Sequence, residues 1–145
     1  PHSAAAKRTA WVKLAAACGV EGRVLFAGTR SDIQRYYRAA DATVFATWFD
    51  SFGFVGIESI ACGTPLVTTG YSGVAQAVVP GVNGEVVSRP DACEELAGAL
   101  RRQMDRGVDD AEAARISATV AEYSLELNTE RTVGLIESCG HSHSK

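Results

Sequence analysis

Two carboxylates and several glycines lie in one mostly apolar stretch, Thr47-Trp48-Phe49-Asp50-Ser51-Phe52-Gly53-Phe54-Val55-Gly56-Ile57-Glu58-Ser59-Ile60-Ala61-Cys62-Gly63-Thr64-Pro65. A helix is expected from about Phe52 to Cys62, with Ser51 placed to cap it. With a rise of about 1.5 Å per residue, Asp50 and Glu58 are then up to roughly 12 Å apart. That is too far for an acid–base couple working across one bond. It suits two grips on one long ligand, such as the sugar and the ribose of a nucleotide sugar. A carboxylate accepts hydrogen bonds from adjacent hydroxyls, which makes ribose a natural partner for Glu58. First-turn helix amides lack internal partners and the dipole makes that end positive. Gly53 lets a ligand approach the backbone, so a diphosphate could sit there without a basic side chain.

The elements that must position these groups alternate along the chain. A helix is expected over Ala4–Cys18, stopped by Gly19. Arg23–Gly28 reads as a short buried strand, and Ser31 or Asp32 can cap a helix carrying Ile33, Tyr36, Tyr37 and Ala40. Further buried strands are expected over Ala42–Ala46, Leu66–Thr69 and Glu85–Val87. A short helix from Gly73 to about Val79 and the turn cluster Pro80-Gly81-Val82-Asn83-Gly84 lie between the last two. From Asp91 the pattern is helical, breaks near Gly107 and continues to about Ser138. The expectation is an α/β fold: a Rossmann-like parallel sheet flanked by helices, forming a single domain over residues 1–138 with a disordered tail at 139–145. In such open sheets the ligand sits beyond the carboxyl ends of the strands, at the loops Gly28–Ser31, Thr47–Gly53 and Gly70–Gly73.

Composition narrows the function. The 145 residues carry a formal net charge of −3, with 14 Lys and Arg against 17 Asp and Glu. Nucleic-acid binding is therefore set aside, since it calls for a basic excess. No apolar run approaches the roughly 20 residues that span a bilayer, and no signal-peptide pattern opens the sequence, so a cytoplasmic location is expected. Cys18, Cys62, Cys93 and Cys139 form no CxxC pair and read as small buried hydrophobes or inert surface thiols. The histidines are His2, His141 and His143, so the body of the chain offers no catalytic imidazole.

The stretch resembles the E-x7-E region of retaining glycosyltransferases of the two-Rossmann GT-B architecture, family 4 (glycosyl transferases group 1), specifically their C-terminal, nucleotide-sugar-binding domain. Here it stands as Asp50-x7-Glu58 in a D-S-F-G-F-V-G-I-E frame, followed by Ala61-Cys62-Gly63-Thr64-Pro65-Leu66-Val67. Val24-Leu25-Phe26-Ala27-Gly28, Tyr36-Tyr37-Arg38-Ala39-Ala40-Asp41-Ala42 and Gly81-Val82-Asn83-Gly84 resemble the family's V-x-F-x-G, Y-x-x-A-D and G-x-N-G segments in order and spacing. The likeness covers about residues 10–105.

The resemblance implies that Glu58 holds ribose hydroxyls and that Asp50 positions the donor sugar. The amides of Phe52, Gly53, Phe54 and Val55, next to Ser51, would face the diphosphate and sugar. Thr29 and Arg30 would lie near the base. It implies metal-independent, retaining hexosyl transfer from a UDP- or GDP-sugar to a glycan or lipid acceptor, with no cofactor and with the leaving diphosphate stabilised electrostatically. It also places an acceptor domain and phosphate-gripping cations upstream of this segment, so little transfer is expected from the chain alone. Peripheral membrane association of a longer protein, at the inner face, and pairing of two copies through an exposed domain face are further expectations.

The chain departs from the family at two positions. Asp50 stands where Glu is usual, one methylene shorter, and Gln76 replaces the carboxylate of the family's G-G-x-P-E loop. The alternative is therefore a noncatalytic nucleotide-binding or protein-interaction module on the same fold. Trp48, Phe49 and Phe52 read more readily as core than as ligand-stacking residues. Gly56 reads equally as a helix–sheet packing residue, and Arg101, Arg102 and Arg106 as a solvated helix face.

Overall fold

Residues 4–141 are described in a computed structural model, residues 4–7 and 140–141 by backbone alone. The chain divides into two units, Pro1–Asp32 and Ile33–Lys145. The first holds α1 (Ala4–Ala17) and a 3-10 turn, Glu21–Arg23. The strand expected over Arg23–Gly28 does not form. Val24 donates back to Glu21 O within the turn, and Leu25 is 85% exposed. An apolar run becomes a strand only when its amides and carbonyls find a ladder partner, and the described residues of this unit contain no other extended element.

The second unit runs α2 (Ile33–Arg38), β1 (Thr43–Phe45), α3 (Phe54–Ala61), β2 (Leu66–Thr69), a 3-10 turn at Gly73–Ala77, β3 (Gly84–Val87), α4 (Cys93–Arg106), α5 (Asp110–Ala118), a 3-10 turn at Ala121–Tyr123 and α6 (Leu125–His141). The strands form one parallel sheet in the order β1-β2-β3, with Thr43 opposite Leu66 and Leu66 opposite Gly84. The rest of the tail expected from residue 139, with His2 and His143, lies outside the described residues. No described helix is long and apolar enough to cross a membrane.

All four residues of β2 are buried. Leu66 packs on one side with Ile60, Val74, Ala77, Val78, Ile116 and Val120, and Val67 packs on the other with Val87 and Ala99. Alternate side chains of one strand thus supply two cores, which is why a strand covered on both faces reads as a continuous apolar run. Gly56 is where α3 meets this layer: a Cβ there would lie 2.7 Å from Leu66 Cδ2 and 2.8 Å from Val74 Cγ2. The packing reading of Gly56 holds.

The turn before β3 is fixed by a fully buried amide. Asn83 Oδ1 accepts from Val79 N at 2.7 Å, while Nδ2 donates to Ala77 O at 2.9 Å and to Thr119 Oγ1 at 2.7 Å. One side chain therefore joins the turn, the start of β3 and the end of α5. Losing it leaves the Val79 N–H, Ala77 O and Thr119 Oγ1 without this partner. Asn83→Ala is expected to cost about 2–4 kcal/mol in urea unfolding. Asn83→Asp keeps only the acceptor to Val79 and is expected to be destabilising as well. Wild-type midpoints for both would disprove this account.

Candidate functional site

The loops after β1 and β2 continue the parallel pairing beyond the strands. Asp50 N donates to Tyr71 O and Gly73 N donates to Asp50 O, both at 3.2 Å, forming a bridge between Asp50 and Ser72. The approach is close enough that a Cβ at Gly73 would lie 2.4 Å from Ser51 O. Thr69 Oγ1 adds a bond to Thr47 O at 2.7 Å. The Asp50 loop is thereby held at the carboxyl edge of the sheet, where an open α/β sheet binds its ligand.

Asp50 Oδ1 accepts from Phe52 N at 3.0 Å, a short side-chain turn of the kind Asp favours. This corrects two expectations. The Phe52 amide is spent on Asp50 and is not open to a ligand. Nor does Ser51 cap the helix: α3 begins at Phe54, after Gly53 in the left-handed region at φ 81, with no side-chain cap. The Asp50 turn delays the helix by two residues, and Gly53 reverses the backbone as other residues rarely do. The amides of Gly53, Phe54 and Val55 have no protein partner among the described residues. They are the open donors that a helix N-terminus leaves.

Glu58 lies mid-helix on α3 with its side chain exposed. Its Oε2 accepts from Tyr37 Oη at 3.2 Å, while no described residue bonds its Oε1. Asp50 Oδ2 is likewise without a protein hydrogen bond among the described residues. Each carboxylate therefore has one oxygen held by the protein and one open. With the open amides in the segment between them, the stretch can accept hydroxyl hydrogens at two places and donate to an anion. Tyr37 is the residue that sequence reasoning missed here. Its place in the Y-x-x-A-D segment was the available signal, but its contact with Glu58 spans 21 positions.

Trp48 and Phe49, expected in the core, are 53% and 81% exposed, while Phe52 is half-buried. They follow the last residue of β1, beyond the covered part of the sheet. The Trp48 ring stands 5.6 Å from that of Tyr71, and the Arg89 guanidinium lies 5.4 Å from the Trp48 ring centroid. Phe52 packs against Phe54 at 5.1 Å and Tyr123 at 5.8 Å. Gln76 is exposed on the 3-10 turn after β2. Thr29 and Arg30 belong to the first unit and are exposed there. Among the described residues no group of three or more His, Cys, Asp or Glu is placed to hold a metal ion.

Residues 3–106 match the family described as Glycosyl transferases group 1. The D-inositol 3-phosphate glycosyltransferase of Mycolicibacterium smegmatis is 34% identical over 124 residues, covering 84% of this chain and 27% of that protein. The chain is similar in structure to Anabaena HepE in complex with UDP, with TM-score 0.74 and 25% identity over 90% of this chain and 36% of that one. HepE in complex with UDP-glucose gives TM-score 0.72 and 26% identity, covering 89% and 36%. The chain thus spans about a quarter of the curated relative's length and about a third of the solved chain's.

The Tyr37 phenol is pushed up to about 12 from 10.0, first by burial and then by the charge and hydrogen bond of Glu58. A raised folded value means that the neutral phenol stabilises the fold. That contribution is complete below about pH 10 and is lost as pH rises towards 12. Urea midpoints are expected to fall over this window more steeply for the wild type than for Tyr37→Phe, and parallel profiles would contradict the assignment.

Proposed function

The chain belongs to the group 1 glycosyltransferases, and from this we propose that it is the donor-binding part of a retaining, metal-independent hexosyltransferase using a UDP- or GDP-sugar. The observation that carries the reading is the pairing of two half-engaged carboxylates with the open amides of Gly53, Phe54 and Val55. Glu58 Oε1 accepts from the ribose hydroxyls, and Asp50 Oδ2 accepts from a hydroxyl of the sugar. The amides stabilise the charge that grows on the diphosphate as the bond to the sugar breaks. HepE complexes with UDP and UDP-glucose support a nucleotide-sugar ligand. Ser51 is assigned to the rim of the diphosphate site. The acceptor, a glycan or lipid, binds to a domain outside this segment, so the chain alone binds donor with little or no transfer.

The shorter Asp50 fits this reading. Its first oxygen makes the turn that sets Gly53, and its second is free for the sugar. Asp50→Asn keeps an acceptor for Phe52 N and is expected to leave UDP affinity within about twofold while removing any gain of UDP-glucose over UDP. Calorimetric titration of the chain with UDP, GDP and ADP is expected to show saturable binding of one of them. Glu58→Ala should weaken it at least about tenfold, or about 1.4 kcal/mol, as for hydrogen bonds to a charged group. A folded chain that binds none of the three would favour a noncatalytic interaction module.

A further inference from the structure

Glu58 projects into solvent, where a glutamate ordinarily samples many rotamers. Here both its tip and its root are fixed. The tip accepts from the hydroxyl of Tyr37, a buried residue, at 3.2 Å. At the root, the neighbouring Ser59 Oγ is fully buried, 2.8 Å from Thr43 Oγ1 and 3.1 Å from Thr64 O. Thr64 Oγ1 in turn donates to Tyr37 O at 2.6 Å. These bonds close a circuit from the Tyr37 phenol to Glu58, along α3 to Ser59, across to Thr64, and back to the Tyr37 backbone. The circuit ties α2, α3 and the start of β1 and β2 together behind one exposed carboxylate.

We infer that Tyr37 is a positioning residue for nucleotide recognition: its hydroxyl holds Glu58 Oε2 so that Oε1 is presented to the ribose in a single orientation. The inference rests on the donor-site reading above. The geometry favours it over simple satisfaction of a buried hydroxyl in one respect. Tyr37 is anchored by its own backbone carbonyl to Thr64, the residue that also bonds Ser59 at the root of Glu58, so the partner of the tip and the helix at the root are tied to one residue. Orientation fixed before binding spares the ligand the cost of ordering the side chain. The expected signature is discrimination between ribose and deoxyribose, because a loss of general stability would weaken both nucleotides alike.

The test titrates the chain with UDP and with 2′-deoxyuridine diphosphate, for the wild type, Tyr37→Phe, Glu58→Ala and Glu58→Asp, with a thermal melt of each. The wild type is expected to prefer UDP, and Glu58→Ala to lose that preference. Tyr37→Phe should weaken UDP binding roughly three- to tenfold and lower the UDP preference, with a smaller loss for the deoxy nucleotide, which keeps only its 3′-hydroxyl as a partner for Glu58. Equal weakening for both nucleotides, or wild-type behaviour, in Tyr37→Phe while Glu58→Ala still loses the preference would overturn the role of Tyr37 and leave the donor site standing. Wild-type preference in Glu58→Ala would overturn the donor-site reading itself, as would a wild type that binds none of UDP, GDP and ADP; where GDP is the one bound, the same comparison runs with GDP and its 2′-deoxy form. Glu58→Asp shortens the reach of the carboxylate to Tyr37 and to the ribose together without disturbing the buried ring. Shortened by one methylene it loses reach to Tyr37, so an undiminished UDP preference in that variant would also overturn the inference.

Discussion

Burial of β2 on both faces is the constraint to which the larger unit answers. Leu66 and Val67 point in opposite directions and neither tolerates solvent, so α3 and the 3-10 turn must cover one side while β3 and α4 complete the other. Fully burying an aliphatic side chain stabilises the fold by about 1.5–3 kcal/mol, and β2 directs two such residues into separate cores. A parallel sheet with this arrangement needs crossover connections. Those connections return the chain repeatedly to the same edge, and the loops that close them carry Asp50, Tyr71 and Arg89.

At that edge, local electrostatics is governed by incomplete pairing. Charged and polar groups usually find partners, and most here do: Glu85 is held by Arg102 and Gln103, which keeps its carboxyl below the usual range. The Arg102 side expected to be a solvated face is thus partly a clamp between α4 and β3. Asp50 and Glu58 differ, because each has only half of its acceptor capacity used by the protein. Three helix-start amides between them are open as well. Acceptors flanking a run of donors match a ligand that has hydroxyls at two places and an anionic group between them.

Much of this was legible from residue order. Leu66–Thr69 follows Pro65 and is apolar or β-branched throughout, and the structure makes it a strand at those bounds. Gly107 separates two helices where the pattern breaks. What escaped sequence reasoning depended on partners distant in sequence. Val24-Leu25-Phe26 has the composition of a strand, but strand formation is a property of a pair and no ladder partner is present among the described residues of its unit. The start of α3 was misplaced because Ser51 is the better cap by propensity. Asp50, one residue earlier, captured the Phe52 amide first and left Gly53 to begin the helix. The exposure of Trp48 and Phe49 followed from where β1 ends, which composition alone does not locate. The Tyr37–Glu58 contact joins two helices across 21 positions, beyond the reach of any local periodicity.

The buried Asn83 amide has a consequence for the order in which the unit comes apart. Its bond to Thr119 Oγ1 bridges 36 positions, and its bonds to Ala77 O and Val79 N close the turn that feeds β3. Detaching the end of α5 would leave an Asn83 N–H without its partner in the interior, so that helix cannot fray without weakening the edge of the sheet. Partial openings that release only α5 are therefore suppressed relative to openings that take β3 with it, and the amides of both segments should exchange with solvent as one cooperative block.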